Sequence, residues 1–244
     1  MRCSRALLPI LAVIGAATLV AQPLSAETLV IEGGTVHPVV GEPFEGRVVV
    51  EEGIIVAAGP DAEAPAEASV VDANGLHVYP GLFDAFSQLG MVEVGAVSAT
   101  DDRAEMGAYN PHLVAATAVH PASEVIPVTR ANGITHALAA PRPSRDGVIA
   151  GQGSLINLDG WTVEEMTVEP SIAMVLQWPG VVTRRFDFST FSYKESPFNE
   201  AEEKAEEKQL ELRQWLEAAR HYARAMAVEN PRAEPDLKLE ALAR

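Results

Sequence analysis

The chain has 244 residues, 48% hydrophobic and 21% charged, which is apolar material for one large domain or two small ones. Its net charge of −16 argues against nucleic acid or anionic lipid as a partner, because both attract the opposite sign. The acidic surplus reads more simply as a solubility feature.

Arg2 and Arg5 open a short basic region, Ala6 to Val20 is an apolar run, and Pro23 precedes Leu24-Ser25-Ala26. This is the layout of a secretory signal peptide over residues 1–26, cleaved after the small residue Ala26. The apolar run is short for a membrane span, and a retained N-terminal anchor is the alternative reading. Cys3 precedes the apolar run instead of following it, which speaks against a lipoprotein. Cleavage removes Cys3, the only cysteine, so the mature chain would have no disulfide, thiolate metal site or cysteine nucleophile. The expected location is periplasmic or secreted, from a bacterium, with no membrane attachment after cleavage.

Three β-branched runs follow, Thr28 to Ile31, Arg47 to Glu51 and Ile54 to Ala58, separated by Gly33-Gly34, Glu45-Gly46 and Glu52-Gly53. Glu52-Gly53 between two of them predicts a hairpin, because glycine accepts the positive φ of a tight turn. Asp61 to Ser69 is a small polar loop, and Val70-Val71 leads through one more short strand to Pro80-Gly81. Residues 27–79 are therefore predicted to form a small antiparallel β unit. From Gly81 the rhythm becomes strand, loop, helix. "GLFDAF", "GITHALAAP" and "SIAMVLQW" read as strands buried on both faces of a parallel sheet. "HLVAATAV" reads as a weak helix, and Gly151 to Val168 as an extra strand or hairpin before a short helical turn. Arg130-Ala131-Asn132-Gly133 reads as a helix exit, with Gly133 as its left-handed stop.

The best helix is late. Asn199 followed by Glu202 is a capping pattern, and Leu212, Trp215, Leu216, Ala219, Tyr222, Ala223 and Met226 recur on one face. Asn230-Pro231 is its predicted end, and "EAEEKAEEK" its solvated first turns. "DLKLEALAR" forms a last short helix.

Three stretches resemble the amidohydrolase superfamily, and among its branches the secreted imidazolonepropionase-like proteins. "IEGGTVHPVVGEPFEGRVVVEEGIIVAAGP" is similar to the family's N-terminal β-sandwich portion. "VDANGLHVYPGLFDAFSQLG" is similar to the strand entering the barrel, and "VIPVTRANGITHALAAP" to the second barrel strand and the turn before it. "GQGSLINLDGW" and "SIAMVLQWP" continue the likeness more loosely. The resemblance implies an α/β fold: a β-sandwich portion over 27–79, then over 80–244 an incomplete (β/α)8 TIM-type barrel of about three strands. It implies hydrolysis of a non-peptide C–N bond in a small-molecule substrate, by water bound to zinc or another divalent metal.

The resemblance places two imidazole ligands, one residue apart, on the first barrel strand, where alternate side chains point the same way. Phe86 and Gln88 occupy those positions. Phenylalanine has no lone pair and glutamine offers a neutral carbonyl, a poor match for zinc beside imidazole. Asp84, which in the family supports the strand and the metal shell, remains. Further ligands are implied on later strands: a lysine or glutamate on the fourth, histidines on the fifth and sixth, an aspartate on the eighth. About three barrel strands precede Arg244, so the chain reads as a fragment of a longer product. No metal or cofactor is expected in this chain, and a complete homologue would hold zinc. A degenerate barrel that binds or scaffolds is the alternative function. A homo-oligomer or a related second chain is left open as partner.

All six histidines lie after residue 26, and no pair shows metal-motif spacing. His37 and His77 belong to the β unit. His136 falls in the second barrel strand, read as packed. His112 and His120 flank the weak helix, and His221 sits on the solvated side of the long one. Asp101, Asp102 and Glu105 form an acidic cluster on the loop above the first barrel strand, either solvated or touching substrate. Gly151 and Gly153 make a weak phosphate-loop match, better explained by a glycine-lined turn. Ser154 lacks the elbow of a serine hydrolase. Trp161 and Trp178 read as core or rim aromatics.

Overall fold

The computed structural model describes residues 28–187, 189–228 and 234–244, and the chain divides at Pro80/Gly81 into two units. The expected signal peptide and the expected helix stop at Asn230-Pro231 lie outside the described residues.

In the first unit one sheet holds β1 (Leu29–Val36), β2 (Phe44–Glu51), β3 (Ile54–Gly59), β4 (Ser69–Asp72) and β5 (His77–Val78). The order is β3-β2-β1-β4, with β5 pairing the far end of β1. Glu52 and Gly53 have φ of 50° and 78°, so the expected two-residue hairpin joins β2 to β3. The unit is not antiparallel throughout. β4 and β5 run parallel to β1, because the 60–68 loop carries the chain back to the edge of β1 before β4 begins. Val30, Val36, Val48 and Val49 are buried, and the adjacent Val48 and Val49 point to opposite faces of the sheet. Gly46 is where β2 passes the end of β3: a Cβ there would lie 2.4 Å from the Gly59 carbonyl oxygen.

The second unit is built on a four-stranded sheet of order β6-β7-β8-β9, comprising β6 (Leu82–Ser87), β7 (Ile134–Ala139), β8 (Ile149–Asn157) and β9 (Thr167–Leu176). β6 and β7 are parallel, while β7–β8 and β8–β9 are antiparallel. The expectation of three strands buried on both faces of a parallel sheet is corrected accordingly. β8, the extra strand, enters between β7 and "SIAMVLQW" and turns the local pairing antiparallel. β6 and β9 then lie at the sheet edges and are largely exposed, and burial concentrates in β8. Gly151 and Gly153 lie inside β8, not in a turn. Gly151 has φ 146°, and a Cβ there would meet the Leu113 carbonyl oxygen at 2.9 Å, so a neighbouring backbone claims the space a side chain would need.

Helix α1 (Val125–Ala131) ends as expected: Gly133 takes φ 88° and donates its N–H to the Arg130 carbonyl at 2.9 Å. Helix α2 (Val163–Met166) is the expected short turn, capped by the Thr162 side chain. "HLVAATAV" yields only a 3-10 turn over Ala115–Ala118. Leu89, Met91, Val119, Ile126, Ala137, Ile156, Leu158 and Met166 form the main core on this side. A two-stranded ribbon, β10 (Arg184–Asp187) and β11 (Ser192–Glu195), precedes helix α3 (Phe198–Met226).

α3 buries Ala201, Ala205, Leu212, Ala219 and Tyr222, and Leu212 packs with Tyr109, Val148 and Ile149. Tyr109 stacks on Trp215 with ring centroids 5.2 Å apart. The expected Asn199 cap is not used. The helix starts two residues earlier, with Pro197 at the N-cap position and its ring holding φ at −52°. Helix α4 (Leu237–Ala243) is capped by Asp236, whose carboxylate accepts from the Lys238 and Leu239 N–H groups.

Candidate functional site

Phe86 and Gln88 sit at the C-terminal end of β6, an edge strand whose pairing with β7 is irregular between Asp84 and Ser87. Asp84 Oδ1 accepts from the Phe86 N–H at 3.2 Å, and Ser87 Oγ accepts from the Leu89 N–H at 3.2 Å. Both side chains therefore stabilise the strand end itself. Phe86 is 59% exposed, an apolar ring where the resemblance implies a ligand. Gln88 Oε1 accepts from Arg103 Nη1 at 3.2 Å, so its one ligand-capable oxygen faces a cation.

Arg103 organises what lies above this rim. Its Nε and Nη2 donate to the two carboxylate oxygens of Asp101 at 2.6 and 2.5 Å, a bidentate fork. Arg142, on the loop after β7, approaches the same carboxylate at 4.0 Å, and its backbone N–H donates to the Arg103 carbonyl at 2.8 Å. The hydrogen bond from Arg103, reinforced by its charge and that of Arg142, holds the Asp101 carboxyl down at about 2. Asp101 is thus not part of an acidic site. Asp102 and Glu105 are exposed beside it.

A depressed carboxyl stabilises the fold above its ordinary range, near 3.8, and loses that contribution as pH falls through about 2. Arg103→Gln is expected to return the Asp101 carboxyl to the ordinary range and to flatten the loss of stability over that acidic window. Carbon-detected NMR titration of Asp101 measures this. A midpoint still near 2 in the variant would contradict the assignment of Arg103 as its cause.

The remaining sequence-predicted residues are dispersed. His136, on β7, stacks on Phe83 at 4.6 Å between ring centroids, and its Nδ1 hydrogen-bonds Thr135 Oγ1 at 2.9 Å. His112 has a buried Nδ1 without a partner, while His120 and His221 are exposed. Ser154 is fully buried, donating to the Pro170 carbonyl at 2.7 Å and accepting from the Ala116 N–H at 2.8 Å, which fixes it as a structural link. Trp161 and Trp178 are 92% and 60% exposed, so neither is core.

In the first unit His37 and His77 meet. Nε2 of one lies 2.9 Å from Nδ1 of the other, and Tyr79 stacks on His37 at 4.4 Å. Forty residues separate them in sequence, and the parallel register of β5 on β1 brings them together. No spacing signal in the chain announces such a pair. Arg103 and Arg142 were equally silent in the sequence, since both belong to irregular loops.

The donor set at the β6 rim does not fit a catalytic zinc: an aromatic ring, a neutral amide paired with arginine and a carboxylate spent on backbone. Among the described residues no group of three or more His, Cys, Asp or Glu is arranged to hold a metal ion.

A mixed α/β chain with a parallel β6–β7 pair opening its second unit is the class of protein defined here. No protein-family profile matches it. A crystal structure of an amidohydrolase from Thermotoga maritima MSB8 superposes with a TM-score of 0.69 at 22% identity, covering 88% of this chain and 54% of that one. In sequence, 70 residues are 47% identical to a 5-methylthioadenosine/S-adenosylhomocysteine deaminase from Symbiobacterium thermophilum, or 27% of this chain and 16% of the deaminase. The chain thus spans about half of the solved amidohydrolase and a smaller share of the deaminase. The resemblance to the amidohydrolase superfamily read from the motifs is borne out.

Proposed function

We propose that this chain is the scaffold portion of an exported hydrolase of non-peptide C–N bonds. In this reading residues 28–79 contribute to a β-sandwich and β6 and β7 begin a (β/α)8 barrel. The fold likeness to the amidohydrolase carries the reading, and the deaminase-like stretch points to the same bond type. The role of this chain's own residues follows from their contacts. Asp84 and Ser87 hold the end of β6, Arg103 holds Gln88 and Asp101, and this rim presents amide and guanidinium groups to a substrate instead of a metal-bound water. Metal ligands, if the reaction uses them, would come from outside the described strands, either from later strands or from a related second chain.

A second reading is favoured by Phe86 and Gln88 themselves: a degenerate barrel that binds small molecules without turning them over. One experiment separates the two. The product of the full reading frame, purified from the exported fraction, is incubated with aminopurine nucleosides, imidazolones and other cyclic amides, and released ammonia or ring opening is followed. Turnover of at least one class, by protein beginning at Glu27, is the expected result. Binding without turnover across the set would establish the second reading, and an N-terminus at Met1 would remove export.

A further inference from the structure

Five of the chain's 18 lysine and arginine residues converge on two adjoining cavities of the second unit, in a protein with a net charge of −16. The first, of about 400 Å3, is lined by Arg145, Arg185, Lys204 and Lys208 from the loop after β7, the β10–β11 ribbon and α3. The second, of about 500 Å3, shares Arg145 and Arg185 and adds Arg142. Two carboxylates, Asp146 and Glu207, face this cluster.

Asp146 does not neutralise it. It accepts from Arg185 Nη1 at 2.8 Å and lies 3.6 Å from Lys208 Nζ, so its charge is already committed to two cations. The hydrogen bond from Arg185 and the nearby charge of Lys208 hold its carboxyl below the usual range despite partial burial. Arg145 donates Nη2 to the Phe186 carbonyl at 3.2 Å and makes no ion pair among the described residues. Arg142 reaches Asp101 only at 4.0 Å, where Arg103 already occupies that carboxylate. Lys204 makes no ion pair among the described residues.

The walls are tied together without any ligand. Gln209 Nε2 donates to the Pro179 carbonyl at 2.9 Å, the Gln177 N–H to Val148 at 2.8 Å, and the Ser196 N–H to Thr183 at 2.8 Å. Like charges gathered in a pre-formed concavity repel one another, and a bound anion relieves that repulsion while the concave walls focus the field. The volumes lie in the range of small-molecule sites.

We propose that this cleft binds a small, multiply charged oxyanion, a polycarboxylate or a phosphate ester, held by Arg145 and Lys204 in the first cavity. Guanidinium forks match either oxyanion in two-point geometry, and Lys204 adds a point charge at the helix wall. The site adjoins the Asp101–Arg103 pair above the β6 rim through Arg142, and it does not depend on C–N hydrolysis.

Calorimetric titration of the full chain with citrate and with inorganic phosphate, at fixed ionic strength, tests it. Saturable binding of at least one probe is expected, weakening as sodium chloride is raised. Binding of citrate alone identifies a carboxylate ligand, binding of phosphate alone a phosphate ester, and either supports the site. Lys204→Glu together with Arg145→Gln should weaken binding by about ten-fold or more, each lost contact being worth roughly several-fold at a solvent-screened position. Lys204→Glu alone, at an exposed position, should weaken it several-fold with an unchanged melting temperature in the absence of probe. Absence of saturable binding by both probes, or equal affinity in Lys204→Glu and the unmodified protein, would overturn the proposal.

Discussion

Ile156→Ala is expected to destabilise the second unit by about 2–5 kcal/mol, the range for emptying a well-packed core position. Ile156 lies on β8 opposite Ala137 and is 1% exposed, with Leu158 and Met166 in the same cluster. Its neighbours cannot collapse into the gap. Ala137, its partner on β7, and Ala139 in the same cluster are short side chains that cannot reach into the space. The lost contacts therefore remain as a cavity. Ile156→Val, removing one methylene, is expected to cost about 0.5–1.5 kcal/mol. Urea unfolding of both variants, followed by tryptophan fluorescence, gives the two values. A cost for Ile156→Ala no greater than for the valine change would mean that β8 is not the centre of the core.

The reason β8 holds that place also explains what could be read beforehand. Periodicity and turn chemistry are local, and the elements they determine are where the sequence reading and the structure agree. The Glu52-Gly53 hairpin, the Gly133 helix stop, the short turn at 163–166 and the late helix are all of this kind. Strand direction is not local. The runs of β6, β7 and β9 look alike in composition, and nothing within them states that β8 will pair between β7 and β9. Once it does, the apolar run of β9 becomes an edge strand and is left exposed. The long-helix cap failed for a smaller reason, since the helix already begins at Phe198 and Asn199 lies inside its first turn.

The candidate site divides along the same line. Phe86 and Gln88 were legible as departures because a motif supplies their expected identity, and the structure places both at the end of β6. Arg103 and Arg142 were not, because their convergence on Asp101 depends on two loops meeting above the sheet. His37 and His77 meet only through the parallel return of the chain onto β1. The cationic cleft is hidden still further. In an acidic sequence its five basic residues look scattered, and the β10–β11 ribbon and α3 gather them into one place.

The consequence of having Phe86 and Gln88 at the end of β6, and no imidazole there, is large enough to be measured in a single preparation. Neutral imidazoles give zinc two strong, directional lone pairs, while Phe86 gives none and Gln88 gives a carbonyl oxygen already paired with Arg103. Asp84 cannot compensate alone, since its carboxylate is engaged with the Phe86 N–H. A site reduced to such donors should not hold zinc through dialysis, for the coordination energy must exceed the cost of stripping the ion of water. Zinc content of the 244-residue chain, grown with added zinc and dialysed, is therefore the deciding measurement, read by plasma mass spectrometry. Less than about one-tenth of an equivalent is expected, against the one or more that a structured site retains. A full equivalent that survives dialysis and disappears on Gln88→Ala would contradict that expectation.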